Sequence, residues 1–127
     1  MHVVKVTKAK LDKQVDWRSV CPVSSALDIL GDKWSLLIIR DLLTKGPRTY
    51  SDFLESDEHI STNILADRLH LLTCLNLIER SDAEGIARNN AYKLTKSGEA
   101  LKPTLFELAK WSQDNLKAYN PDIEDIV

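Results

Sequence analysis

The polar residues best suited to chemistry with another molecule are concentrated between residues 61 and 70. A helix with Leu65, Leu69 and Leu72 on its buried side turns small polar side chains to the opposite side, because a helix repeats every 3.6 residues. Such a set at the start of a helix can reach base edges in the major groove of DNA. The candidate residues are Ser61, Thr62, Asn63, Ala66, Asp67, Arg68 and His70.

Asn63 is the most informative of these residues. An asparagine amide can accept from and donate to an adenine edge at the same time, so Asn63 is the predicted base reader. The same helical projection puts Ile64 and the capping residue Ser61 in the buried arc. Every amphipathic surface helix has a polar face, however, so the helix by itself does not distinguish a DNA-reading helix from an ordinary one.

Arg68 and Asp67 each admit two interpretations. Arg68 lies at the edge of the apolar side, where an arginine either pairs with a carboxylate of its own chain or extends outward to a DNA phosphate. Asp67 lies on the polar side, where a carboxylate can accept a hydrogen bond from cytosine or repel phosphate. The sequence leaves both choices open.

Residues outside this helix add candidate contacts to the DNA backbone. Strand-like runs at 77–80 and 91–95 flank a polar segment, which predicts a hairpin. The residues expected near its tip are Arg88, Asn89 and Asn90. An arginine there can contact a phosphate or enter the minor groove, whereas the plain alternative is a solvated loop charge. Lys33 and Arg48 are further candidates for phosphate contact.

The cysteines and histidines do not form a catalytic or metal-binding pattern. Cys21 and Cys74 are the two cysteines of the chain, and neither lies in a spacing typical of metal sites. The three histidines are His2, His59 and His70, which fall on unlike elements. We find no nucleophile–base spacing and no glycine-rich phosphate loop. We therefore expect a protein that is not an enzyme and that needs no metal or cofactor.

The composition predicts one soluble globular domain. The chain has 127 residues, of which 43% are hydrophobic and 28% are charged. No apolar run approaches the roughly 18 residues of a membrane span, and we recognise no signal peptide, so we expect a cytoplasmic protein without a membrane partner. The formal net charge is −2, and residues 33–93 carry eight basic and nine acidic groups. A DNA-binding face must therefore be basic by placement alone.

The order of the elements predicts a winged helix-turn-helix. Helices are expected at 22–30, 33–45, 50–56 and 61–76, then the hairpin, then a helical region at 96–119 that Pro103 interrupts. A short turn at 57–60 between two helices, with a hairpin after them, is typical of this motif. The expected fold is mainly α with a small β-hairpin wing, in the α+β class. The expected parts are an N-terminal arm that associates with the dimer (1–20), the DNA-binding domain (21–95), dimerisation helices (96–119) and a flexible acidic tail (120–127).

Four ordered motifs resemble those of one family. They read CPVSSALDILGDKW at 21–34, ISTNILADRL at 60–69, RNNAYKLT at 88–95 and TKSGEALKP at 95–103, and Trp111 lies where that family's closing helix has an aromatic residue. The chain is similar in these segments to HxlR-type winged helix-turn-helix regulators. The second motif looks like their recognition helix, and the third looks like their wing.

The resemblance implies a homodimeric regulator, a repressor or an activator, that binds a pseudo-palindromic operator in double-stranded DNA. Dimers of the family form largely through terminal helices, and the matching residues are Trp17, Leu101, Leu105, Leu108 and Trp111. Cys21 matches a cysteine that senses oxidants or electrophiles in several members, and a helix N-terminus favours the reactive thiolate. The alternative for Cys21 is a structural thiol. We expect a repressor, whose operator and small-molecule effector the sequence does not identify.

The turn departs from the family pattern. Relatives carry basic residues and a glycine in this region, whereas this chain has Glu55, Asp57, Glu58 and His59. Acidic groups in place of basic ones are expected to weaken the anchoring of phosphate. A second hypothesis therefore stays open, in which the winged helix is a dimerisation or protein-interaction module that does not bind DNA.

Overall fold

The computed structural model describes residues 15–81 and 90–125. Helices in these ranges are α1 (Pro22–Leu30), α2 (Ser35–Lys45), α3 (Tyr50–Leu54), α4 (Thr62–Cys74), α5 (Lys96–Glu99) and α6 (Lys102–Asn115). The strands are β1 (Arg48–Thr49), β2 (Ile78–Arg80) and β3 (Ala91–Leu94). The predicted winged helix-turn-helix, mainly α with a small β wing, is confirmed. Within the described ranges, no helix is long and apolar enough to cross a membrane.

The sheet contains a strand that the sequence did not predict. Its order is β1-β3-β2 with antiparallel pairs, so that Tyr92 of β3 lies between Arg48 of β1 and Arg80 of β2. β1 has two residues, which is too short to show the alternation of a strand. Only its pairing with β3 defines it. Because α3 begins at the next residue, β1 ties the helix-turn-helix to the wing.

The core lies where α2, α3, α4 and β2 meet. Its fully buried side chains include Ile39 of α2, Phe53 of α3, Leu65 and Leu72 of α4, and Ile78 of β2. α2 is the central helix, as predicted, since it contacts α1, α6, β1 and β3. Burial of each such side chain stabilises the fold by about 1.5–3 kcal/mol, which holds the leucine side of α4 against the body.

Ile64 and Ser61 correct the predicted buried arc. Ile64 is 40% exposed, and Ser61 is exposed as well. Both lie at the N-terminal end of α4, and a helical projection gives the angle of a side chain but not how far neighbouring elements extend along the axis. Farther along α4 the cover is more complete, since Leu71 is also buried.

Several helix boundaries differ from those expected, since α3 ends at Leu54, α4 at Cys74 and α6 at Asn115, each before its predicted end. The predicted N-cap of α2 at Asp32 is wrong, because the residue at the N-cap is Trp34. Asp32 Oδ2 instead accepts hydrogen bonds from the N–H groups of Trp34 and Ser35, each at 3.0 Å, just before the helix. The helix itself begins at Ser35, two residues later than expected. The C-terminal region is split into α5 and α6 just before Pro103, which lies in the first turn of α6 where a proline is tolerated.

α5 lies close to the chain that enters β2. A Cβ atom on Gly98 would lie 2.2 Å from the backbone oxygen of Leu77, so no larger residue fits at this approach. Toward the N-terminus of the described chain, Val15 is buried in the core and Arg18 pairs with Asp28 of α1. The described part of the expected arm therefore packs on the helical body.

Candidate nucleic-acid interface

The start of α4 presents a polar face away from the core. The Ser61 hydroxyl accepts a hydrogen bond from the N–H of Ile64 at 3.3 Å and so caps the helix. The Tyr50 hydroxyl donates to the backbone oxygen of Thr62 at 2.7 Å, which fixes this end of the helix to α3. Thr62 and Asn63 are exposed beyond these two contacts. The predicted base-reading face is therefore held rigidly and is open.

The remaining predicted residues on α4 differ in their surroundings. Ala66, Asp67 and His70 are exposed. Arg68 is not, because its side chain is only 15% exposed and its guanidinium pairs with Asp32 Oδ1 at 3.3 Å and Asp67 Oδ2 at 2.8 Å. Of the two interpretations, the internal ion pair is the one observed. Contact of Arg68 with phosphate stays a prediction.

The turn before α4 is held by a network of charged groups. The Ser56 hydroxyl donates to Oδ2 of the buried Asp41 at 2.5 Å. The Arg40 guanidinium donates to both oxygens of Glu58, at 2.8 and 3.0 Å, and also contacts Asp41. His59 takes a left-handed conformation with φ of 60°, which residues other than glycine adopt rarely. These contacts hold the turn between α3 and α4 against α2.

Ion pairing changes the expected effect of the acidic turn. Hydrogen bonds from Arg40 lower the pKa of Glu58, and the same contacts raise the pKa of Arg40. Glu58 is thus an ion-paired carboxylate, which shares Arg40 with Asp41, and not an isolated negative charge. Glu55 and Asp57 remain exposed acidic residues of this turn.

The two basic residues predicted to contact the backbone have different environments. Arg48 donates to the backbone oxygen of Asp52 at 2.6 Å, and its guanidinium lies 6.0 Å from the ring centre of Phe53. The side chain thus stabilises α3. Lys33 is exposed, with its Nζ 5.5 Å from the ring centre of Trp34. Lys33 is accordingly the more accessible of the two.

The wing contributes one basic residue that sequence reasoning missed. Asn90 is exposed at the start of β3, whereas Arg88 and Asn89 lie outside the described residues. Arg80 is exposed at the end of β2, and its guanidinium lies 5.0 Å from the ring centre of Tyr92. Its position at the end of a predicted strand, next to the hairpin, was the available signal.

A helix–sheet cleft lies beside α4, where that helix meets β2 and β3. We use this name for the cleft of about 470 Å³ lined by Tyr50, Ala66, Leu69, His70, Thr73, Cys74, Arg80 and Tyr92. Ala66 and His70 belong to the predicted reading face of α4. The cleft therefore joins that face to the cationic end of β2, which is an arrangement able to receive a DNA strand.

The two thiols lie on different elements. Cys21 is exposed at the N-cap of α1, where its N–H donates to the Ser19 hydroxyl at 3.2 Å. Cys74 is half-buried at the end of α4, with its Sγ 3.6 Å from Nε2 of His70. Within residues 15–81 and 90–125, no three side chains of the types that bind metals come together.

The residues predicted for dimerisation fall into two groups. Leu101 and Leu105 pack against the core of their own chain. Trp17, Leu108 and Trp111 are about half exposed, which is unusual for large apolar side chains. Other large apolar side chains are exposed as well, among them Val20 beside α1, Val23 and Leu27 on α1, and Phe106 on α6.

Comparisons of the sequence show close relatives. The HxlR-like helix-turn-helix family model matches residues 29–120. An uncharacterised HTH-type transcriptional regulator of Synechocystis sp., sll1512, is 31% identical over 112 residues, which make up 88% of this chain and 82% of that protein. The HTH-type transcriptional regulator YodB of Bacillus subtilis is 33% identical over 95 residues, covering 74% of this chain and 84% of that protein.

Comparisons of the structure agree. PA1607, a putative transcription factor, has a crystal structure that superposes with a TM-score of 0.72 at 34% identity, covering 86% of this chain and 73% of that one. The reduced form of YodB gives a TM-score of 0.61 at 30% identity, covering 76% and 95%. These relatives and their family are transcriptional regulators, which confirms that the protein is not an enzyme. The chain belongs to the HxlR-like helix-turn-helix family of DNA-binding transcriptional regulators.

Proposed function

We propose that the protein is a cytoplasmic, homodimeric repressor that binds a pseudo-palindromic operator through α4. The observation that carries the proposal is the exposed polar start of α4, with Thr62 and Asn63 free to reach base edges. Leu65, Leu69 and Leu72 hold the opposite side in the core, so the helix can enter a groove without losing its packing.

Backbone contacts in this proposal come from the elements around α4. Arg80 and Asn90 are exposed on the wing, and Lys33 is exposed before α2. Because Glu58 is paired with Arg40, the acidic turn opposes phosphate binding less than an unpaired carboxylate would. Placement of these cations thus compensates for a net charge of −2.

A second copy of the chain is the proposed occupant of the exposed apolar surface. Leu108 and Trp111, three residues apart, lie on the same side of α6. Val23 and Leu27 form a comparable side of α1. Large exposed apolar groups on terminal helices favour association, and a two-fold dimer would present two α4 helices about 34 Å apart, one turn of DNA.

Cys21 is the proposed sensor of oxidants or electrophiles. Its thiol is exposed and lies between Val20 and Val23, at the surface proposed for the dimer. A group attached there would alter the packing between the subunits. The relative YodB has been crystallised in quinone-bound and diamide-treated forms, with TM-scores of 0.62 and 0.58 to this chain. These structures support a thiol response by analogy.

Operator binding by the Asn63→Ala variant tests the function. We expect a loss of about 1–3 kcal/mol in affinity and relaxed specificity at one base pair, because the bidentate amide contact is removed. Fluorescence anisotropy with DNA from upstream of its own gene measures this, with Asn120→Ala, the same change at an exposed C-terminal position, as the control. Equal affinity and specificity for Asn63→Ala and wild type would contradict the assignment.

A protein-interaction module without DNA binding is the second candidate. The eight basic and nine acidic groups of residues 33–93 favour it. A folded dimer that fails to bind any upstream DNA at low salt, where phosphate contacts are strongest, would favour this candidate over the repressor.

A further inference from the structure

Cys74 and His70 are adjacent in the helix–sheet cleft. Cys74 Sγ lies 3.6 Å from His70 Nε2, one helical turn earlier. At this distance a neutral imidazole can accept the thiol proton, and a protonated one can donate to a thiolate. A cysteine with a proton acceptor in reach is the arrangement of an activated sulfur nucleophile. The spacing of four residues is no standard motif, which is why the sequence did not single it out.

The cleft supplies the other features of a binding site. Its volume is about 470 Å³, which is enough for a small organic molecule. Aromatic rings of Tyr50 and Tyr92 contribute to the lining, and Arg80 adds a cation from β2. The nucleophile therefore opens on a partly aromatic, cationic space instead of on bulk solvent alone.

We propose that Cys74 and His70 form a reactive-thiol site for small α,β-unsaturated carbonyl compounds, separate from Cys21. The sulfur adds to the alkene carbon farther from the carbonyl, so that an S–C bond forms while the C=C π bond breaks. The thiol proton passes to His70 and then through water to the other alkene carbon. No oxidant is consumed and no group leaves. Arg80 stabilises the carbonyl oxygen as it becomes negative.

The adduct has a consequence that rests on the proposed function. It occupies the cleft beside Ala66 and His70, on the face of α4 proposed to enter DNA. A group there excludes the strand, so modification of Cys74 lowers DNA affinity directly. This differs from the proposed response at Cys21, which acts at the dimer surface.

Single-thiol variants test the site itself. The Cys21→Ser variant retains only Cys74, and Cys74→Ser retains only Cys21. The rate of adduct formation with N-ethylmaleimide is measured by mass spectrometry in native buffer and in urea. We expect native Cys74 to react faster than unfolded Cys74. A native rate equal to or below the unfolded rate would overturn the proposal.

His70→Gln in the Cys21→Ser background tests the proton acceptor. We expect the native rate to fall by about tenfold or more while the unfolded rate is unchanged, because only the folded chain brings the imidazole to the thiol. An unchanged native rate, with an unchanged thermal midpoint, would overturn the role of His70. If the variant unfolds, the comparison of native and unfolded rates in Cys21→Ser still tests whether the folded chain makes Cys74 reactive.

DNA affinity separates this proposal from the function on which its consequence depends. The Cys21→Ser protein is titrated with operator DNA before and after modification, with Cys21→Ser/Cys74→Ser as the treated control. A loss of about tenfold or more in the first protein alone supports occlusion of the cleft. Unchanged affinity overturns the occlusion. Failure of the unmodified protein to bind DNA overturns the proposed function, while the rate measurements still test the site.

Discussion

The electrostatic effect of each charged residue in the turn depends on the group with which it pairs. Glu58 reads in the sequence as a repulsive charge near DNA, yet the structure pairs it with both terminal nitrogens of Arg40. Arg40 also contacts the buried Asp41, which accepts from Ser56. The acidic group thus helps to orient α3 and α4, and its cost for phosphate binding is reduced.

The Glu58 ion pair predicts a dependence of stability on pH. Because Arg40 lowers the pKa of Glu58 below its ordinary value of 4.5, the pair stabilises the fold above that pH and is lost as the pH falls through the lowered pKa. Its contribution should be about 1 kcal/mol or less, since the two side chains are 36% and 37% exposed. Urea denaturation from pH 7 to pH 3 measures it. Glu58→Gln should show a weaker decline than Glu55→Gln, and identical declines would contradict the prediction.

The Asp32 carboxylate makes two kinds of contact, one through each of its oxygens. Its Oδ2 accepts hydrogen bonds from the N–H groups of Trp34 and Ser35 just before α2, and its Oδ1 lies 3.3 Å from the Arg68 guanidinium. Asp32→Asn keeps an oxygen that can accept the two backbone hydrogen bonds and removes the charge, so it should lower the free energy of unfolding by about 1 kcal/mol through the lost ion pair. Urea denaturation measures this, with Asp57→Asn in the exposed turn as the control. Equal stability of both variants would show that the pair is not stabilising.

At the scale of elements, the wing positions a cation beside α4. β1, β2 and β3 are short, and their pairing places Arg80 over Tyr92 at the edge of the helix–sheet cleft. A single arginine held by a sheet can contact phosphate with little loss of side-chain freedom. We therefore propose that the wing acts with α4 in DNA binding, and not merely as its support.

Arg80→Ala should weaken binding to operator and to unrelated DNA alike. The reason is that a phosphate contact carries no base information, so affinity falls uniformly and the slope of log K against log salt decreases by about 1. Anisotropy titrations at several salt concentrations measure the slope. Lys110→Ala removes the same charge from α6, which the proposal does not place on DNA. A loss restricted to the operator, or equal slopes for both variants, would contradict this prediction.

At the scale of the whole molecule, some large apolar side chains of the terminal helices are not covered by their own chain. Leu108 and Trp111 of α6 are about half exposed, whereas Leu101 and Leu105 already pack on the core. The terminal helices thus have one side for their own chain and one side without cover. A dimer formed through that second side would set the separation of the two α4 helices.

Leu108→Glu should therefore weaken the dimer. A charge placed in an apolar contact on both subunits is expected to raise the dimer dissociation constant by about tenfold or more, and operator affinity should fall with it. Analytical ultracentrifugation measures the first effect, and anisotropy measures the second. Lys110→Glu, on the opposite side of α6, should retain the dimer. Unchanged association of Leu108→Glu would place the dimer interface elsewhere.

Local patterns of the sequence determined most of the fold. The serine cap of α4, the leucine periodicity of α4 and the strand-like runs around the hairpin each depend on neighbours within a few residues, so they could be predicted without a structure. The polar start of α4 followed from the same periodicity, and the family followed from ordered motifs.

Tertiary contacts decided the rest, because they join residues far apart in the chain. The β1 strand exists only through β3, and the partner of Glu58 lies 18 residues away at Arg40. Exposure of Ile64 depends on where the neighbouring body ends along α4. Arg80 was recognised as a candidate site residue only because it lines the cleft between α4 and the sheet. A local sequence pattern cannot predict such contacts, since the residues interact only after the core has packed and brought their elements together.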